Sequence, residues 1–317
     1  LMVDRRGALW IGSDGALRRT TRAGRAPGIA GRRDTTFAIR SYLNSSQEAV
    51  QPLLEAGDTV LFGLSDGRIG RVLPNDSLDF LPGWSVPTDV PVHSLARAGD
   101  GALWVGQLGM VSRQRGDSLT HFHALHGIPS ALPRALLPDE RGGVFIGTYG
   151  SGLWHLRPGV RARAIPLPDR TVSALLLDDD ARLWMPGNRG LTVVAVTELH
   201  RFLADSTAIP GARLLSFADG VPEGNNGRPA ATRVAPGVLA FATVGGVVEV
   251  RATDVLTTGV TPPVRIDSVR SGTGALLDVN GTVRIVPDDR TVQLGFSVPS
   301  FRYPEAVRFR YRLTGRD

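Results

Sequence analysis

His93, Arg134 and Ser173 recur along this chain at intervals of 41 and 39 residues. An imidazole, a guanidinium and a hydroxyl brought to one place can offer several hydrogen bonds to a single solute, and the guanidinium adds charge-assisted bonds to an anion. Asn225, Asn226 and Arg228, in a polar segment further along, contribute two amides and a second guanidinium. These six are the candidate ligand-binding residues. Their chemistry is recognition rather than turnover, because only His93 exchanges a proton near neutrality and no carboxylate accompanies it.

Other side chains with reactive potential read differently. His121 and His123 stand two apart in HFHALHG and would share one face of an outer strand, a spacing that holds zinc if a third ligand converges. No second cluster supplies that ligand, so the segment reads as an edge strand ending in the turn His126, Gly127, Ile128, Pro129. Asp178, Asp179 and Asp180 suggest a cation site, but calcium wants six to eight convergent oxygens, and a solvated hairpin turn is the simpler reading. There is no Walker loop, dinucleotide fingerprint, HExxH, EF-hand or nucleophile elbow. Cysteine is absent, which removes disulfides, thiolate metal sites and a Cys nucleophile. No catalytic residue, metal or cofactor is expected in this segment.

What must position the candidate residues is a repeat present six times: GALWIGSDGAL (7–17), DTVLFGLSDGRI (58–69), GALWVGQLGMV (101–111), GGVFIGTYGSGLW (142–154), ARLWMPGNRGL (181–191) and GVLAFATVGGV (237–247). The anchors Trp10, Leu61, Trp104, Phe145, Trp184 and Ala240 are separated by 51, 43, 41, 39 and 56 residues, the length of a four-stranded propeller blade. Apolar stretches ahead of the anchors, such as VHSLA (92–96), RALLP (134–138) and VSALLLD (172–178), predict the inner strand of each blade. Polar turns rich in Asp and Gly then reverse the chain. Anchor aromatics should fill the gaps between sheets, burying ~150–250 Å² each. Gly12, Gly63, Gly106 and Gly147 should let neighbouring backbones approach. Counting eleven residues back from the anchors gives Val50, His93, Arg134, Ser173 and Pro229, an inner-strand column expected at the mouth of an axial channel.

Composition fits a soluble all-β chain. Its 317 residues are 42% hydrophobic, with 38 Gly and 22 Pro for frequent turns. All 36 basic residues are Arg, scattered rather than clustered, and the net charge of +6 carries no nucleic-acid stripe. No apolar run approaches the ~18–20 residues that cross a bilayer. Leu1 stands only a few residues before the first repeat, so sequence upstream of it is expected.

The repeats resemble those of two-component regulator propellers, best at 101–111, 142–154 and 7–17, with an acidic turn, a leucine-tryptophan step and paired glycines. SFADGVPEGNNGRPAATRVAPGVLAFATVGGVVEV (216–250) is similar to their terminal blade. Beyond a Pro-Pro step, FSVPSFRYPEAVRFRYRLTGRD (296–317) resembles the opening half of the three-Y domain, with Tyr303 and Tyr311 at its Tyr positions and Phe309 at a further aromatic one. The expected fold is therefore all-β: a β-propeller over 1–255, six recognisable blades of a seven-bladed or larger array, followed at 263–317 by part of an Ig-like β-sandwich. The resemblance implies the periplasmic sensor region of a membrane-anchored two-component protein, often a histidine kinase and a candidate homodimer. Its partner would be a small-molecule or oligosaccharide ligand, bound without catalysis. The alternatives are a propeller enzyme, lyase or hydrolase, and an interaction scaffold.

Overall fold

The structure, a computed structural model, describes residues 1–22, 32–38, 50–82, 90–224, 229–255, 263–270, 276–277 and 291–298. Two compact units divide the chain, Leu1–Ala252 and Thr253–Asp317.

The first unit holds six antiparallel sheets. Blade one is β1 (Met2–Val3), β2 (Leu9–Ser13), β3 (Ala16–Arg22) and β4 (Arg32–Ala38); blade two is β5 (Val50–Ala56), β6 (Thr59–Leu64), β7 (Ile69–Val72) and β8 (Leu78–Phe80). Blade three is β9 (Val92–Arg97), β10 (Leu103–Gln107), β11 (Met110–Arg115) and β12 (Ser118–Phe122); blade four is β13 (Leu132–Pro138), β14 (Val144–Tyr149), β15 (Leu153–Arg157) and β16 (Val160–Ile165). Blade five is β17 (Leu176–Leu177), β18 (Arg182–Gly187), β19 (Gly190–Ala195) and β20 (Arg213–Leu215), with helix α1 (Val196–Ala204) before its last strand. Blade six is β21 (Ala231–Ala235), β22 (Val238–Thr243) and β23 (Gly246–Arg251), followed by a short helix, α2 (Ala252–Val255). Each sheet is a meander in chain order, so this is a six-bladed propeller. The expected seventh blade has no counterpart among the described residues, and blade six has three strands there rather than four.

In the second unit, β24 (Arg265–Arg270) lies between β25 (Leu276–Leu277) and β26 (Gln293–Ser297), both antiparallel to it. Tyr303, Phe309 and Tyr311, which carry the Ig-like expectation, lie outside the described residues. No helix among the described residues is long and apolar enough to cross a membrane.

The anchors explain why the sheets stack. Trp10 joins blade two in one core cluster, Trp104 joins blade four, and Phe145 joins blade five. Trp184 meets Phe241 of blade six with ring centroids 6.0 Å apart. Trp104 and Trp184 are 1% and 0% exposed, which corresponds to about 4–6 kcal/mol of gross transfer free energy each. The residue opposite an anchor on the next strand often covers it: Arg19 lies over Trp10 and Arg113 over Trp104, with guanidinium carbons 5.5 and 5.6 Å from the ring centroids.

Close approach is visible two positions beyond the anchors. A Cβ on Gly147 would lie 2.6 Å from Val172 Cγ1 of blade five, and one on Gly106 would lie 2.3 Å from Ser94 Oγ and 3.0 Å from Pro133 Cγ. Only glycine lets the second strand of these blades lie so near the neighbouring chain.

Candidate functional site

The sequence-predicted column converges on a single cavity of about 360 Å³. Its walls come from the inner segment of every blade: Leu1, then Val50–Leu53, His93–Leu95, Arg134–Leu136, Ser173–Leu175, and Pro229 with Ala230. Convergence of all six blades on one space is what a radial arrangement provides and a single sheet cannot. His93, Arg134 and Ser173, together with Val50 and Pro229, are thus neighbours despite spanning most of the unit. Asn225, Asn226 and Arg228 lie outside the described residues.

Backbone irregularity puts the polar members there. In β9 the pairing with β10 runs from Ser94↔Gly106 to Val92↔Gln107, leaving His93 as the extra residue of a bulge. In β13 it runs from Pro133↔Thr148 to Ala135↔Gly147, leaving Arg134. In β5 the ladder likewise shifts between Val50 and Leu53, at Gln51 and Pro52. A bulge frees one side chain from the strict in-out alternation and re-aims it. Three consecutive inner strands therefore carry the same device at the same level. In blade five the regular strand begins only at Leu176, and Ser173 is held by its amide donating to the Pro186 carbonyl across 2.9 Å.

Two residues after each of these positions the chain places a leucine: Leu53, Leu95, Leu136 and Leu175, all lining the cavity. The cavity is consequently two-tiered, polar where Gln51, His93, Arg134 and Ser173 stand and apolar one step further along the strands. Ser94 is buried and spends its hydroxyl on the Pro133 carbonyl of the next blade, 2.9 Å away. Arg134 is half-buried and makes no hydrogen bond or ion pair with the described residues. No carboxylate lines the cavity among the described residues. Sequence reasoning found the polar column through the repeat but missed the leucine tier and Gln51, although the spacing of two that reveals the leucines is written in the chain.

A second ionisable cluster lies away from the cavity. Asp139 accepts hydrogen bonds from His155 Nε2 at 2.9 Å and His200 Nε2 at 3.0 Å, and from the Arg141 amide at 3.2 Å. Burial opposes ionisation of this carboxyl, but the His155 bond, the Arg141 amide and the nearby imidazoles outweigh it and lower the pKa from 3.8 to about 2. Phe145 lies beside both rings, tilted 55° to His155 at a centroid distance of 4.8 Å and stacked on His200 at 6.1 Å. The cluster ties blade four to helix α1 of blade five and is structural in character.

Two sequence readings need correction. Asp178 is not a solvated turn residue: its side chain is 1% exposed and bonds Trp184 and Arg182, while Asp179 pairs with Arg233 and Asp180 with Arg182. His121 and His123 do not share a strand face, because β12 ends at Phe122 and His123 opens a one-turn 3-10 helix at 124–126. His121 Nδ1 instead meets the Ser112 hydroxyl at 2.8 Å.

No known family pattern and no curated protein matches the chain. Among solved structures it is similar to the extracellular domain of BT3049 from B. thetaiotaomicron, a protein assigned as a hybrid two component system, with 17% identity over 96% of this chain and a TM-score of 0.65. It spans 41% of that domain's length. It is also similar to virginiamycin B lyase from Staphylococcus aureus, at 13% identity over 78% of this chain and 82% of the lyase, with a TM-score of 0.55. At such identities the shared property is the propeller fold.

Proposed function

We propose that this chain is the ligand-sensing region of a membrane-anchored two-component signal transduction protein, working at the extracytoplasmic face of a bacterial inner membrane. The observation that carries the reading is the axial cavity, walled by all six blades and given its polar tier by bulged inner strands. The likeness of 96% of the chain to an extracellular domain of a protein assigned as a hybrid two component system supports the setting. A solute binds in the cavity without being transformed, and the second unit, as part of an Ig-like sandwich, relays the change toward the membrane, within a homodimer. A ligand drives such a switch only through its differential affinity for two states.

The lyase likeness raises a catalytic alternative, and His93 is the one candidate base of the column. The described lining of the cavity contains no Asp or Glu, so acid-base catalysis by a carboxylate is not built into it and binding without turnover is favoured.

Calorimetric titration of the chain against oligosaccharides and small anions, with product analysis of each mixture, tests the reading. Saturable binding with every compound recovered intact is expected. Consumption of a compound would assign the cavity to catalysis, and a panel without a single binder would remove the sensor role from it. For the setting, protein expressed from its complete reading frame should fractionate with membranes, with this region open to protease added outside spheroplasts.

A further inference from the structure

The polar tier contains a cation that has no partner among the described residues. Arg134 is half-buried at a bulge, faces a cavity with no acidic residue among its described lining, and makes no hydrogen bond or ion pair with the described residues. Other arginines of this propeller are committed: Arg19 to Asp76, Arg71 to Asp79, Arg113 to Asp100, Arg182 to Asp178 and Arg233 to Asp179. A guanidinium withdrawn from water without a counter-charge is unfavourable, and the planar fork is matched by a carboxylate, sulfate or phosphate oxygen pair. Next to it stand Ser173 and His93, and one step on the four leucines Leu53, Leu95, Leu136 and Leu175.

We propose that the cavity selects a small organic oxyanion, seating its charged group on Arg134 and its less polar body against the leucine tier. This rests on the sensor reading of the same cavity and adds the class of ligand. The volume of about 360 Å³ suits one compact solute. The opposite arrangement, a cationic or purely neutral ligand, would leave Arg134 buried further without compensation.

Matched pairs separate the charged group from the body of the ligand: hexanoate against hexanamide, glucuronate against glucose, and hexyl sulfate and hexyl phosphate against hexanol, each titrated calorimetrically into the full chain. The charged member of each pair should bind about 10- to 100-fold more tightly, the worth of a charge-assisted hydrogen bond shielded from water. Arg134→Gln should erase that preference with an unchanged or higher Tm, and Arg134→Lys should keep part of it, which guards against a folding defect in the first variant. Comparing the carboxylates with the sulfate and phosphate esters distinguishes which oxyanion is preferred. Equal affinity for charged and neutral members, or an Arg134→Gln protein with the wild-type preference, would overturn the proposal. If neutral members bind as tightly as charged ones and a cavity-filling Ser173→Trp blocks both, the sensor reading survives while the oxyanion inference falls. If nothing binds, both fall.

Discussion

The indole Nε1 of Trp184 donates to Oδ2 of Asp178, six residues earlier, across 2.8 Å, and Trp10 makes the same bond to Asp4 at the same distance. The turn carboxylate and the anchor aromatic are thus one unit that locks the first hairpin of a blade. Blade four keeps the carboxylate as Asp139 but has Phe145 as anchor, which lacks an N–H. There His155, directly opposite Phe145 in the ladder, supplies the donor, and His200 adds a second. A buried carboxylate must be satisfied by some donor, and the substitution of imidazole for indole is how this blade meets the requirement.

Trp184→Ala should therefore lose both packing and a buried bond, destabilising the chain by ~3–5 kcal/mol. Trp184→Phe keeps most of the ring but leaves one bond of Asp178 unmade, for ~1–3 kcal/mol. Denaturant titrations of both variants check the order. Near-equal losses would mean that the hydrogen bond carries the site and the ring volume does not.

Asp139 predicts acid sensitivity. Its carboxyl is depressed from 3.8 to about 2 in the folded chain, so its contribution is fully present above pH ~4 and is lost as the pH falls through about 2. The size is on the order of 1–2 kcal/mol. Thermal melts between pH 5 and 2 should show a shallower decline for Asp139→Asn than for wild type, from a lower starting Tm.

Ala181 takes φ of 54° at the hairpin position where Gly7, Gly101 and Gly142 have φ of 78°, 82° and 84°. A Cβ in the left-handed region is strained, so Ala181→Gly should stabilise by ~0.5–1 kcal/mol even after the added unfolded-state entropy. Gly142→Ala should destabilise by about 1 kcal/mol. Parallel urea titrations decide the signs.

Gly147→Ala should cost ~1–3 kcal/mol, since its Cβ would meet Val172 of blade five at 2.6 Å. Gly99→Ala, where a Cβ meets nothing within 4 Å, should fall within ~0.5 kcal/mol of wild type. Equal effects would reject close inter-blade packing as the reason for glycine at 147.

By itself the sequence determined the blades, their anchors, their glycines and the column through His93, Arg134 and Ser173. All of these are written in local alternation, turn residues and a repeat near forty, so they need no knowledge of distant contacts. The tertiary structure decided what those residues face. Whether Asp178 is solvated or buried depends on Trp184 folding back over it, and the Asp139–His200 bond joins residues 61 apart in neighbouring blades. The bulges at His93 and Arg134 depend on register between strands, where a slip of one residue reverses every side chain. That register, and with it the two-tiered cavity, exists only once six sheets have stacked around a common axis.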